Sequence, residues 1–89
     1  MEIIIYTTTG CEWCSKVREL LQRANITDYI ERKVGIDYDV ATFHEEWPQA
    51  RAYPVVIVDG EFVGGLIELA KLFLKLGLVS SKKKLMNLK

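Results

Sequence analysis

Cysteine is scarce in this chain: two of 89 residues are cysteine, and histidine occurs once. Two cysteines are too few for the disulfide framework that holds small secreted domains together. With a single histidine beside them, the usual four ligands of a structural zinc site are hard to assemble, and no metal site is expected. An excess of charge of either sign is also missing. Twelve basic residues cancel twelve acidic ones, so no overall field draws in nucleic acid or an anionic membrane, and neither is expected as a partner. Long apolar runs are absent as well. An apolar fraction of 49% with 27% charged residues is that of an ordinary globular protein and argues against both disorder and a membrane span. The opening "MEIII" has no basic region, long apolar stretch or small-residue cleavage site of a secretory signal. A cytoplasmic location is therefore expected, and in a reducing compartment a close cysteine pair is more plausibly reactive or metal-binding than a staple.

What is present fits one domain, because a chain of this length leaves no room for a second core. Residues 1–79 are expected to form it, as a monomer, and residues 80–89 to make a basic tail whose Lys82, Lys83 and Lys84 are solvated. "EIIIY" is a β-branched run closed by threonines and Gly10, which suits a buried strand feeding a turn. From Glu12 the period changes. Val17, Leu20, Leu21 and Ala24 fall at i, i+3, i+4 and i+7, one face of a helix reaching about Asn25. "DYIERKVGI" reads as a second strand. "DVATFHEEWPQARA" reads as a short helix capped by Asp39 and ending before Pro48, with Phe43 and Trp47 in the core and His44 on the surface. In "YPVVIVDGEFVGG" the Asp59-Gly60 pair between two β-rich runs is a strong hairpin signal. "LIELAKLFLKLG" is a last helix ended by Gly77; Leu66, Leu69, Leu72, Phe73 and Leu76 make it apolar around much of its circumference, so part of it is expected to be exposed and open to association. The order βαβαββα predicts an α/β domain with a mixed four-stranded sheet flanked by helices.

Between the first strand and the first helix stands "CEWC". A Cys-x-x-Cys pair across a loop and a first helical turn brings two sulfurs close enough to bond, with Cys11 at the helix start. Unsatisfied N–H groups and the positive end of the helix dipole favour a thiolate there. The thiolate is the attacking species in thiol–disulfide exchange, which makes Cys11 the candidate nucleophile. Cys14 aligns with Val17 and Leu21 on the buried face and is the candidate resolving thiol. Two other readings stand beside this one: an inert buried pair, and a metal site completed by His44 and carboxylates.

The chain resembles the glutaredoxins of the small bacterial or phage type, within the thioredoxin-fold superfamily. The likeness spans about residues 2–77 and rests on "CEWC", on Tyr53-Pro54 opening the hairpin, and on Gly64-Gly65 opening the last helix. It implies a dithiol thiol–disulfide oxidoreductase acting on protein disulfides, with ribonucleotide reductase a candidate partner, no permanently bound cofactor, and glutathione as co-substrate for the Cys11–Cys14 disulfide. It also implies a cis Pro54 beside the active site and a Tyr53 backbone that pairs with the substrate peptide like an added strand. Trp13 fills a position where the family has an aromatic residue, a flat contact for a partner. Three positions depart from the family pattern. Glu12 stands where proline is common, and Thr8 and Ile67 stand where a lysine and an aspartate bind the two carboxylate ends of glutathione. The backbone amides of Gly65 and Leu66 can still hold a carboxylate. Arg51 could add a positive charge, and Glu68 could replace the missing aspartate or serve as a first-turn acid. Two further readings follow: a thioredoxin-like redoxin recharged by a flavoprotein such as thioredoxin reductase, and a binding module that uses the Tyr53-Pro54 groove without turnover.

Overall fold

The structure, a computed structural model, describes residues 1–80; the lysines of the expected basic tail lie outside the described residues. The first apolar run becomes β1 (Ile3–Thr7), followed by α1 (Glu12–Arg23), β2 (Ile30–Lys33), α2 (Val40–Glu46), β3 (Val55–Val58), β4 (Glu61–Gly64) and α3 (Leu66–Leu76). The strands form one sheet in the order β2-β1-β3-β4, with β1 parallel to β2 and the other two pairs antiparallel. This is the expected mixed sheet, and it has the architecture of the thioredoxin fold.

The sheet is covered on both faces, which explains why β1 and β3 are apolar without alternation. Ile3, Ile5 and Val56 pack with Val17, Leu20 and Leu21 of α1 and with Leu69 and Phe73 of α3. On the other face Tyr6, Val55 and Ile57 pack with Val34 and Phe43. Phe43 is thus core as the pattern required, while Trp47 is half-buried against that cluster with its ring 6.1 Å from Phe62, and His44 is exposed.

Local chemistry sets the ends. Asp39 Oδ2 accepts the Thr42 N–H at 3.0 Å and caps α2 as expected. At the hairpin Asp59 and Gly60 both have positive φ, 51° and 82°, the pair of conformations a tight two-residue turn demands. Gly77, in the left-handed region, closes α3. Two elements are shorter than their patterns suggested. The first helix stops at Arg23 because Asn25 turns to φ 60° and its N–H bonds Gln22 O, which breaks the helical ladder. The second strand spans four residues rather than nine. After Lys33 the chain folds into a turn in which the Asp37 carboxylate accepts the Lys33 N–H and Gly35 bonds Tyr38 O, so Val34 makes only an isolated bridge.

One ion pair ties α1 to β2. Arg18 reaches Glu31 through two bonds, Nη2 to Oε2 at 2.6 Å and Nε to Oε1 at 2.9 Å, and the Thr7 hydroxyl donates to the same carboxylate. The Arg18 hydrogen bonds hold the Glu31 carboxyl below its usual range; partial burial opposes the shift and the Thr7 hydroxyl adds to it. A lowered carboxyl contributes stability above its unfolded pKa and loses it as pH falls through the folded one. Because the pair is partly exposed, Glu31→Gln is expected to cost about 1 kcal/mol or less near neutral pH. The difference between the two proteins should shrink and be lost as pH falls through the lowered folded-state titration of Glu31, and urea titrations at neutral and at acid pH measure it. Phe73 is fully buried and Ile67 is 57% exposed, so Phe73→Ala is expected to cost ~3–5 kcal/mol and Ile67→Ala no more than ~0.5, read from the same titrations.

Candidate active site

Strand register brings the chemically distinctive residues to one end of the sheet. Thr7, the last residue of β1, pairs with Lys33, the last of β2. Tyr6 pairs with Val55, so Pro54 lies at the same end, and Val56 pairs with Gly64 at the close of β4. Four residues after Thr7 comes Cys11, the cap of α1.

Cys11 takes an extended conformation, φ −98° and ψ 107°, and its Sγ accepts the Cys14 backbone N–H at 3.0 Å. A sulfur therefore occupies the place that a serine or aspartate oxygen fills at most helix starts. Cys11 is half-buried and Cys14 fully buried, in line with Val17 and Leu21. The two sulfurs are bonded to each other, with the α-carbons 5.3 Å apart, inside the range of roughly 4.4–6.8 Å seen for bridged pairs. Trp13 between them is 51% exposed, with Lys16 Nζ 4.9 Å from its ring centre.

Two cavities lie at this end, and a third runs along α1 and α3. Around Cys11 a polar one of about 390 Å³ is lined by Thr8, Glu12, Ser15, Arg18 and Lys33 among others. Arg18 is committed to Glu31, whereas the Lys33 ammonium is in no ion pair among the described residues. Lys33 was not among the residues singled out from sequence. Its position follows from the parallel register with Thr7, and a strand that ends at the Gly35 turn was the available signal.

A second cavity, about 380 Å³, brings together Arg51, Tyr53, Pro54, Gly64, Gly65 and Glu68. The Tyr53-Pro54 bond is cis, and the Tyr53 ring stacks on Phe43 at 5.5 Å. The first of the two glycines is a steric requirement: Gly64 has φ 128° and a Cβ there would meet Glu68 Cγ at 2.9 Å, whereas one at Gly65 would stand in ordinary contact, 3.4 Å from the Pro54 carbonyl oxygen. Glu68 Oε1 accepts the Gly65 N–H at 2.9 Å. That bond holds the Glu68 carboxyl below its usual range. The Gly65 amide thus already serves an internal carboxylate. Leu66 belongs to a third cavity, between α1 and α3, together with Ile67. Among the described residues no group of three or more histidine, cysteine or acidic side chains is arranged to hold a metal ion.

A bonded cysteine pair at a capped helix start, at the same end of the sheet as a cis-proline and a double glycine, is an arrangement suited to redox chemistry. The family model described as Glutaredoxin matches residues 3–63. Glutaredoxin 1 of Rickettsia bellii is 32% identical over 70 residues, covering 75% of this chain and 71% of its own. An uncharacterised glutaredoxin-like 8.6 kDa protein in the rubredoxin operon of Clostridium pasteurianum is 32% identical over 63 residues, covering 71% and 83%. Among solved structures, glutaredoxin 1 of Francisella tularensis, complexed with cacodylate, superposes with a TM-score of 0.69 at 26% identity, covering 84% of this chain and 94% of its own. The chain belongs to the glutaredoxin family, and with Cys11 and Cys14 bonded at the start of α1 it is a thiol–disulfide oxidoreductase.

Proposed function

We propose that the protein reduces protein disulfides in a dithiol cycle with Cys11 as nucleophile and Cys14 as resolving thiol. The observation that carries the assignment is the asymmetry of the pair: Cys11 Sγ caps the helix and is reachable, and Cys14 is buried. An N–H aimed at a sulfur stabilises its anion. The Cys11 thiolate attacks one sulfur of a substrate disulfide, a Cys11–substrate disulfide forms, and the other substrate sulfur leaves as a thiolate that takes a proton from water. Cys14 then gives up its proton and attacks Cys11 Sγ. The substrate's second thiol leaves, and two electrons have passed to the substrate. Trp13 and the Tyr53-Pro54 backbone are the surfaces on which a substrate peptide would rest. Family membership supports protein disulfides as the substrate class, with ribonucleotide reductase the first to test, and the chain's two-cysteine composition supports work in a reducing cytoplasm.

Cys11→Ser is expected to abolish disulfide reduction, and Cys14→Ser to stop turnover while letting mixed disulfides accumulate at Cys11. Alkylation of the reduced protein followed by mass spectrometry checks the order: faster labelling of Cys14 would reverse the roles.

For recharging, glutathione needs a donor for each of its two carboxylates. Thr8 and Ile67 carry no charge, and the Gly65 amide is engaged by Glu68. Lys33, in the cavity of Cys11, is the cation available at one end, and Arg51 lies at the other. We therefore read glutathione as a weak reductant here, with a flavoprotein reductase of the thioredoxin reductase type as the second reading, favoured by the internal Glu68–Gly65 bond. Each lost charge-assisted hydrogen bond, worth ~1.5–3 kcal/mol, weakens capture roughly tenfold or more. Lys33→Ala is expected to lower the glutathione-dependent reduction rate by at least that factor, and Thr8→Lys in the same background to restore it. Parallel assays with glutathione and with thioredoxin reductase decide between the reductants, and an unchanged rate in Lys33→Ala removes Lys33 from the site.

A further inference from the structure

The third cavity, about 480 Å³ between α1 and α3, has no part in the dithiol cycle. Its floor is apolar: Leu20 of α1 and Leu66, Ile67, Ala70 and Leu74 of α3. Ile67 and Leu74 are seven residues apart on one helical face, 57% and 44% exposed, while Leu69 and Phe73 hold α3 to the core from another face. The helix therefore carries an apolar stripe that no element of the described fold covers. Lys16, Arg23 and Lys71 edge the groove, against a single acid, Glu19. None of the three cations is in an ion pair among the described residues, where the only such pair is Arg18–Glu31.

We propose that this groove is a docking surface for an acidic, apolar segment of a protein partner; this rests on the reading that the partner is a protein disulfide. Charge complementarity selects the occupant. A second copy of this chain would set cations against cations. Residues 81–89 of the chain contain four lysines and no acid, the wrong charge for the same reason. The groove is bounded by two helices, α1 and α3, which favours a chain that inserts side chains between them over a flat lipid surface. The groove also opens where it is useful: both helices start at the sheet end that carries the redox pair, and Lys16 lies over Trp13. From Lys16 to Arg23 is seven helical residues, roughly 10 Å, enough for two turns of a bound helix or three residues of extended chain.

The test uses the oxidised protein and cysteine-free peptides, so that docking is read without turnover and the failure of the dithiol cycle would be a separate result. Three peptides alternate leucine with glutamate, leucine with lysine, and serine with glutamate. Isothermal titration is expected to give the leucine–glutamate peptide a Kd at least about tenfold tighter than either of the others, weakening as salt rises. Leu74→Glu and Lys71→Glu, both at exposed positions, are each expected to remove most of that preference, with circular dichroism confirming the fold. Equal affinity for the three peptides, or a preference for the lysine peptide, overturns the proposal. So does equal binding of the peptides accompanied by cosedimentation with phosphatidylserine vesicles, which would assign the groove to a lipid surface.

Discussion

Ile3 and Ile5 face one side of β1, Tyr6 faces the other, and all three are buried. A strand apolar on both faces needs helices above and below and hydrogen-bonded neighbours on both edges, and the remaining elements answer that need. The helix that covers one face must begin where β1 ends. The β2 strand returns parallel and stops level with Thr7, and β3 runs the other way, so it starts near that level, at Val55 just after Pro54. Residues far apart in the chain are gathered at one rim because a single strand had to be enclosed.

At that rim the charge is arranged pair by pair. The chain has no net charge, yet its neutrality is not uniform. Arg18 lies in the cavity of the redox pair and is neutralised across two bonds by Glu31, which leaves Lys33 as the cation there with no ion-pair partner among the described residues. On the α1–α3 side Lys16, Arg23 and Lys71 outnumber Glu19. The small polar cavity beside Cys11 and the apolar groove along the helices are thus distinct environments, one suited to a compact anion and the other to a chain with side chains to bury.

Much of this was legible in the residues themselves. The element order, the Asp39 cap, the Gly77 stop, the Asp59-Gly60 turn and the Cys11 position all depend on chemistry within a few residues, and local chemistry is what a sequence displays. The extent of β2 was not legible, because "ERKVGI" has the propensity of a strand and only the Asp37 and Gly35 turn bonds cut it short. Lys33 stayed hidden for a different reason. Its meaning comes from a partner 26 residues earlier in the chain, through a register that no local pattern encodes. The Glu68–Gly65 bond falls between these cases: a first-turn acid three residues after a glycine cap was readable, but not that its carboxylate would occupy an amide considered for a ligand.

That bond turns the Gly65 end of the site into a competition. Glu68 is tethered three residues from the amide it serves, and a group on so short a tether acts at an effective concentration of ~mM or higher. Its carboxyl is held below the usual range, so it stays an anion through the physiological range of pH and does not step aside by taking a proton. A ligand carboxylate that arrives alone gains only the difference between two similar bonds. A ligand anchored elsewhere as well, by a sulfur at Cys11 or by a peptide chain along Tyr53, arrives with an effective concentration of its own and can displace the resident group. The amide is therefore open to anions in proportion to how much else of them the protein already holds.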